Sequence, residues 1–397
     1  MVRACYTGEI NTFALSSLVL YLQVLVFLLC LAALGYYGFS LYATIAFFRS
    51  QPNELTEIFT PPVTILKPLC GLDWESYDCL ASFCQQDYPE YQLIFTLQDP
   101  QDPSLAIVEK LQQDFPALNI EFVISDHHLG INPKINNLAN GFNLARYDLF
   151  VISDSDIQVK NDYLKAIIQP FKEAEVGVVT CLYNSVTEGW LAGFEALDIA
   201  TQFLPKVMTA RQLEGMNFAL GSTIAIRRET LDKIGGLVEI VNHLADDYQL
   251  GYLANAQGYQ VILSRYIVEH HLGNVTLENM ISRQARWQKC IRVERFWGYV
   301  GLIFTQGTVL SSLFLALTQA SVWGWIVFGI LWLARYLTAY WIAITLFQDP
   351  TAKQFWLWTP LRDCLTFGIW CYSFIGDRVT WRGKTYQLLS NGQLSQL

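Results

Sequence analysis

From Ile10 to Phe48 the chain carries no Asp, Glu, Lys or Arg. A run of that kind restricts the fold more than any motif, because few environments other than a bilayer hold it. Its apolar centre, Ala14 to Leu34, meets the roughly 20 residues that cross a hydrocarbon core as a helix. A secretory signal peptide competes, but the run is too long for its hydrophobic region and no small-residue cleavage site follows. The reading is a retained membrane helix over 10–48. Charge vanishes again between Arg295 and Arg335. Two spans with a tight turn near Gln319 to Gly324 suit that stretch better than one long helix. The apolar segment Phe355 to Ile375 contains Pro360, Arg362 and Asp363, and reads as a third span or as an interfacial segment. Residues 299–376 are thus expected to hold transmembrane or interfacial helices, and 377–397 a polar tail.

Between these flanks the chain changes character. From Pro61 onward short apolar runs (Val63 to Leu66, Tyr91 to Leu97, Ile120 to Ile124, Leu149 to Ile152, Val176 to Thr180) alternate with amphipathic segments such as Ser104 to Phe115. Strands alternating with helices predict an α/β domain, over 61–298, with helices on both faces of a parallel sheet. Overall, 52% hydrophobic and 15% charged residues with mean hydropathy +0.27 are too apolar for a purely soluble enzyme. They are too polar for a bundle of spans alone. A net charge of −9 argues against wholesale nucleic-acid binding. Nine cysteines without a C-x-x-C pair favour a reducing compartment over disulfides or zinc.

The chemistry concentrates at the ends of the expected strands. In LFVISDSDI (Leu149 to Ile157) the apolar run stops and Asp154 and Asp156 follow. Carboxylates at the carboxyl end of a buried parallel strand sit where α/β sheets bind ligands. Hard oxygens so placed can hold Mg²⁺ or Mn²⁺ against a diphosphate, or simply face water at a strand-to-loop junction. Asp99, before Pro100, can accept hydrogen bonds from a nucleoside or make a turn. Lys134 in GINPKINN can lie along a phosphate or stand solvated at a helix start. Asp246 and Asp247 read as a substrate-facing base beside a helix-start carboxylate, or as N-capping alone. In R-x-x-R-W, guanidinium forks of Arg283 and Arg286 match diphosphate oxygens and the Trp287 indole can stack on a sugar. The row continues through Lys289, Arg292 and Arg295, whose end is expected to face lipid headgroups.

Together ILKPLCG, SFCQQDYP, LQDPQDP, GINPKINNL, ISDSDI, ADDYQLG, RQARW and WRGKTY resemble family 2-type membrane glycosyltransferases, specifically the ceramide glucosyltransferase group, in the family's order over nearly the whole chain. The resemblance implies a GT-A (Rossmann-like) nucleotide-sugar domain with a mixed, mostly parallel sheet, plus N- and C-terminal transmembrane helices. It implies an inverting transfer from a UDP-sugar to a lipid hydroxyl, by a multi-pass membrane protein with its catalytic domain on the cytosolic face. Asp247 would be the base, Asp99 would contact the nucleoside, and Asp154 and Asp156 would hold the diphosphate through Mg²⁺ or Mn²⁺. Arg283, Arg286 and Trp287 would clamp the pyrophosphate, and Lys134 would bind the donor.

Two departures stand out: animal ceramide enzymes carry D-S-G where this chain has Asp154-Ser155-Asp156, and His-Pro where it has Leu204-Pro205. The run Arg292 to Gly301 is more similar to bacterial relatives that glycosylate hopanoids, so a UDP-N-acetylglucosamine-dependent hopanoid enzyme is the alternative. A haloacid-dehalogenase-type phosphatase also uses D-x-D, but needs Thr or Val where Gln158 stands and leaves R-x-x-R-W unexplained. A processive polysaccharide synthase needs a polymer channel, and a non-catalytic scaffold needs no ordered carboxylates.

Overall fold

The computed structural model describes residues 2–50 and 59–396, with side chains from Ser17 onward. Eight strands form the central sheet: β1 (Val63–Pro68), β2 (Tyr91–Leu97), β3 (Asn119–Ile124), β4 (Leu149–Ile152), β5 (Ile157–Gln158), β6 (Val176–Thr187), β7 (Ile224–Arg227) and β8 (Gln260–Leu272). Their spatial order is β3-β2-β1-β4-β7-β6-β8-β5. The first four are mutually parallel, β7 runs antiparallel between β4 and β6, and β6 and β8 pair in parallel. Strand alternation sends side chains to two faces. Val63, Ile65, Leu93, Phe95 and Val151 bury in one cluster, while Leu66, Ile94, Phe150, Ile152 and Ile226 bury in the other.

The five expected strands all form, with β6 extended to Thr187. The three not expected (β5, β7, β8) are short or interrupted by polar residues. Arg227 and His270 break the apolar pattern because their heads find partners inside the protein, and Glu269 because its carboxylate stays half exposed.

The N-terminal helix runs over Val2–Arg49, and its Ser17–Arg49 part is long and apolar enough to span a membrane. Leu18, Leu20, Leu25 and Leu28 stand exposed on it, whereas Val26, Cys30 and Tyr37 pack against Leu310, Phe314 and Leu331. The second such helix is Val322–Leu346. Its turn lies near the expected place: Gln319 and Ala320 take positive φ, and Ser321 caps the helix by accepting from Gly324 N. The expected partner span is instead broken, since Phe296–Thr305 and Gly307–Leu317 bend by 60° at Gln306.

Thr359–Ser373 is only 15 residues long, and its charges are buried rather than facing lipid. Asp363 receives both arms of Arg335 (2.7 and 2.8 Å) plus Thr308 and Gln202, at 2.6 Å each. Charges inside apolar segments persist when they pair in this way.

Residues 378–396 are more than a tail. They form an antiparallel sheet of β9 (Arg378–Trp381), β10 (Lys384–Leu388) and β11 (Leu394–Gln396). The β9–β10 turn uses Arg382 (φ 46°) and Gly383 (φ 76°), the left-handed pair that suits a two-residue hairpin. Arg382 there donates to the Cys70 carbonyl, tying this sheet to the loop after β1.

Candidate active site

β4 ends at Ile152 and the next residues turn across the carboxyl edge of β1, with Ser153 N donating to Leu66 O at 3.4 Å. Beneath the turn lies Lys67, fully buried in the ILKPLCG segment, which donates to the Asp154 carbonyl (2.5 Å) and faces the Phe83 ring. Burial pushes that ammonium down to about 8. The three side chains of the turn then take different partners. Asp154 reaches Lys134 (2.7 Å), Ser155 donates to Asp73 (2.5 Å), and Asp156 meets His270 Nε2 (3.3 Å). The Asp156 carbonyl accepts from His271 N, so β8 fixes this end of the turn.

Lys134 does sit at a helix N-terminus, that of Pro133–Phe142, where Asn132 caps Lys134 N and Ile135 N. Its ammonium is not solvated: it bridges Asp154 and Asp246 (3.3 Å) at 16% side-chain exposure. Burial would lower its pKa, but the carboxylates of Asp154, Asp246 and Asp247 outweigh that and raise it.

Asp246 and Asp247 open the helix Asp246–Ala256. Asp246 is taken by Asn132 and Lys134. Asp247 accepts from Gly221 N (2.9 Å) through one oxygen and from Tyr248 N (2.8 Å) through the other. Burial, then the neighbouring Asp246, push it up to about 6 against the pull of Lys134.

One glycine locates the centre of the cluster. A methyl group on Gly221 would stand 3.0 Å from Asp154 Oδ2, 3.4 Å from Asp247 Oδ2 and 3.4 Å from Lys134 Nζ. Three side chains from 134, 154 and 247 therefore crowd around one point of backbone. The adjacent Leu220 is buried with Ala43, Phe47 and Ile342 of the two long apolar helices, and with Phe347 just beyond the second. The acidic cluster thus lies next to the seam between the sheet domain and those helices.

The two D-S-D carboxylates differ in environment. Burial and the nearby Asp156 raise Asp154, partly offset by Lys134. Burial would raise Asp156 too, but the His270 imidazole and Lys67 outweigh it and hold the carboxyl low. His270 is correspondingly raised, the Asp156 charge overcoming burial. Asp73 is raised by burial and by Asp156.

Among the described residues no three His, Cys, Asp or Glu side chains form a closed metal cage. The donor set nevertheless fits Mg²⁺ or Mn²⁺. Such ions commonly take one or two carboxylates and complete their shell with water and substrate phosphates. Asp154 and Asp156 remain 39% and 30% exposed.

The R-x-x-R-W helix spans Leu277–Glu294, capped by Thr276. Arg283 forks onto the buried Glu195 (2.8 and 2.6 Å) and lies close enough to His270 to affect its charge. Arg286 turns the other way, its guanidinium 5.5 Å from the Trp381 ring, with no hydrogen bond or ion pair among the described residues. Asp246 is near enough to act on it. Trp287 is 36% exposed, one helical turn beyond Arg283.

The row's end, expected to face headgroups, finds partners within the protein. Arg292 pairs with Asp377 and Arg295 with Glu214, while Lys289 is buried against the Arg378 carbonyl. Folding of 377–396 against this helix supplied partners that the local sequence does not show.

Asp99 stands apart at the carboxyl end of β2, exposed, and accepts from Gln101 N (2.8 Å) in a turn. The structure therefore brings together Lys134, Asp154, Asp156 and Asp247, sets Arg283 and Arg286 at the margin, and leaves Asp99 outside. Lys67, Asp73, Gly221, Glu195 and His270 were not legible as site residues. Only two carried a signal: a lysine inside an apolar strand, and the His270-His271 pair.

The model of glycosyl transferase family 21 matches residues 25–394. Ceramide glucosyltransferase 3 of Caenorhabditis elegans is 25% identical over 345 residues, 84% of this chain and 74% of that one. The ceramide glucosyltransferase of Candida albicans is 37% identical over 130 residues, 30% of this chain and 24% of that one. Among solved structures, mannosyltransferase PcManGT from Pyrobaculum calidifontis, in complex with GDP-Man and Mn²⁺, superposes with a TM-score of 0.55 at 15% identity. The match covers 89% of this chain and 99% of that chain. That likeness is one of fold, and the fold is GT-A.

Proposed function

Because the chain belongs to glycosyl transferase family 21, we propose that it transfers a hexose from a UDP-sugar, with inversion, to the hydroxyl of a membrane lipid of the ceramide class. The observation that carries this reading is the convergence of Asp154, Asp247 and Lys134 on Gly221, beside the seam with the apolar helices.

In the proposed reaction the Asp247 carboxylate accepts the proton of the acceptor hydroxyl. The freed oxygen forms a bond to the anomeric carbon from the face opposite UDP, and the bond from that carbon to the β-phosphate oxygen breaks, leaving its electron pair on UDP. Two backbone N–H groups aim the Asp247 oxygens, and its raised pKa brings proton affinity closer to neutral pH. Asp154 and Asp156 would hold Mg²⁺ or Mn²⁺, which supplies positive charge to the departing diphosphate. The unpaired Arg286 guanidinium is free to take a diphosphate oxygen. Arg283 is already committed to Glu195, so its part is to set the helix against the cluster. Trp287 is proposed to line the sugar side, and Asp99, outside the cluster at the exposed end of β2, to meet the nucleoside where the donor extends beyond it.

The protein is proposed to be multi-pass with the sheet domain in the cytosol, since UDP-sugars and unpaired thiols belong there. Ceramide is favoured as acceptor because ceramide glucosyltransferases are the relatives named above. The hopanoid expectation has no counterpart among those relatives.

The test uses the full chain in nanodiscs with labelled UDP-glucose and UDP-N-acetylglucosamine, offering ceramide or a hopanoid alcohol, and identifies the lipid product by mass spectrometry. UDP release and a hexosyl-lipid are expected, abolished by EDTA and restored by Mg²⁺ or Mn²⁺. Release of phosphate from p-nitrophenyl phosphate without UDP release refutes the reading, and full activity after exhaustive chelation removes the metal.

A further inference from the structure

On the face of the basic helix turned toward β9 lies a cavity of about 330 Å³. Glu278, Ser282, Arg286, Lys289, Tyr372 and Arg378 line it. Lys289 is its least ordinary feature. The side chain is 4% exposed, donates to the Arg378 carbonyl (3.0 Å) and lies 5.0 Å from the Tyr372 ring. Among the described residues no carboxylate pairs with it, because the nearby Asp377 is taken by Arg292. A buried ammonium served by one neutral oxygen and an aromatic face is under-compensated. The Arg378 side chain, exposed at the rim, and the Arg286 guanidinium also lack ion pairs among the described residues. Leaving Arg286 to the donor, two cationic groups, Lys289 and Arg378, therefore face one space with a single carboxylate, Glu278, on its wall.

The position of the cavity says which anion reaches it. Tyr372 is half exposed near the end of Thr359–Ser373, followed by exposed Phe374 and Ile375 (67%). The Phe374 ring packs 5.5 Å from that of Tyr299, in the first half of the broken apolar pair, which also carries exposed Phe296 and Trp297, the latter 81% exposed. Exposed aromatic and aliphatic side chains beside spanning helices mark headgroup depth in a bilayer. Phosphates of phospholipids lie at that depth, and basic pockets there take anionic ones.

We propose that this cavity binds the phosphate of an anionic membrane phospholipid, through Lys289 and Arg378 with Tyr372 as its floor. The inference rests on the membrane placement proposed above, and not on the identity of the sugar or acceptor. Occupancy would complete the Lys289 environment and hold β9 against the basic helix. The same hairpin carries Arg382, which grips the loop after β1.

The experiment places the full chain in phosphatidylcholine nanodiscs with or without phosphatidylglycerol. It reads lipid retained by native mass spectrometry after extraction, together with the thermal midpoint. The wild type is expected to retain phosphatidylglycerol selectively and to melt higher in its presence. Arg378→Gln, an exposed substitution that leaves the carbonyl bonded to Lys289, is expected to weaken retention about fivefold, and Lys289→Gln at least as much. Equal retention by wild type and both variants overturns the proposal. So does displacement by free inorganic phosphate at low concentration, which would make the site one for soluble anions. Displacement by UDP also overturns it, since the cavity would then belong to the donor. UDP-sugar turnover in phosphatidylcholine alone is measured in parallel, so that failure of the transferase reading is seen separately.

Discussion

Asp247→Asn separates chemistry from folding at the proposed base. Asp247 uses one oxygen for Gly221 N and the other for Tyr248 N. An amide can satisfy only one of these, and its NH₂ would face the other donor, at about 1–3 kcal/mol. Against that stands relief of burial. A carboxyl raised from 3.8 to about 6 is disfavoured as the anion in the fold by about 3 kcal/mol. The sign follows from linkage: the penalty is absent below the unfolded pKa, grows from about pH 4 to 6, and is complete above. The variant is therefore expected to melt no lower than wild type at about pH 7.5, with any advantage gone below about pH 4. Turnover should fall by about 10²–10⁴, the range of general-base catalysis, while UDP-sugar binding persists. In wild type, kcat/KM should rise through about pH 6 as Asp247 ionises, and the variant should lose that limb. The assay is coupled UDP release across pH, with calorimetry on the same samples. A variant that keeps turnover within tenfold of wild type, or a wild-type profile flat between about pH 7 and 5, refutes the reasoning.

Lys134→Met removes the ammonium that pulls Asp247 down, so the acid limb should move to higher pH and the KM for UDP-sugar should rise; an unmoved limb counts against the bridge. Gly221→Ala puts a methyl 3.0 Å from Asp154 Oδ2, forcing that carboxylate aside. Circular dichroism should stay native while turnover drops by about 10²-fold, the scale of a misplacement near 1 Å. Asp363→Asn strips the Arg335 fork of its charge at a site where both side chains are at most 3% exposed. That should cost about 3–5 kcal/mol, seen as a lower thermal midpoint in detergent with an unchanged KM.

What the sequence determined alone was segmentation and the location of reactive groups. Uncharged runs announced the apolar helices, because a bilayer admits little else. Strands β1 to β4 could be read because apolar runs bounded by turn residues report burial locally. Asp154, Asp156 and Asp247 were legible because carboxylates directly follow such a strand or open a helix. Tertiary structure alone decided who meets whom. Lys134 reads equally as a solvated cap residue or as a bridge until Asp154 and Asp246 arrive from distant parts of the chain. Gly221 has no signature, since its value lies in a missing side chain where two acidic groups and one ammonium converge. Arg283 pairs with Glu195 and Arg335 with Asp363 across separations that no local pattern encodes. The closing hairpin binds the loop after β1 from 312 residues away. Periodicity records whether a side chain is buried; ion pairs and close approaches depend on chain convergence, which only the folded packing supplies.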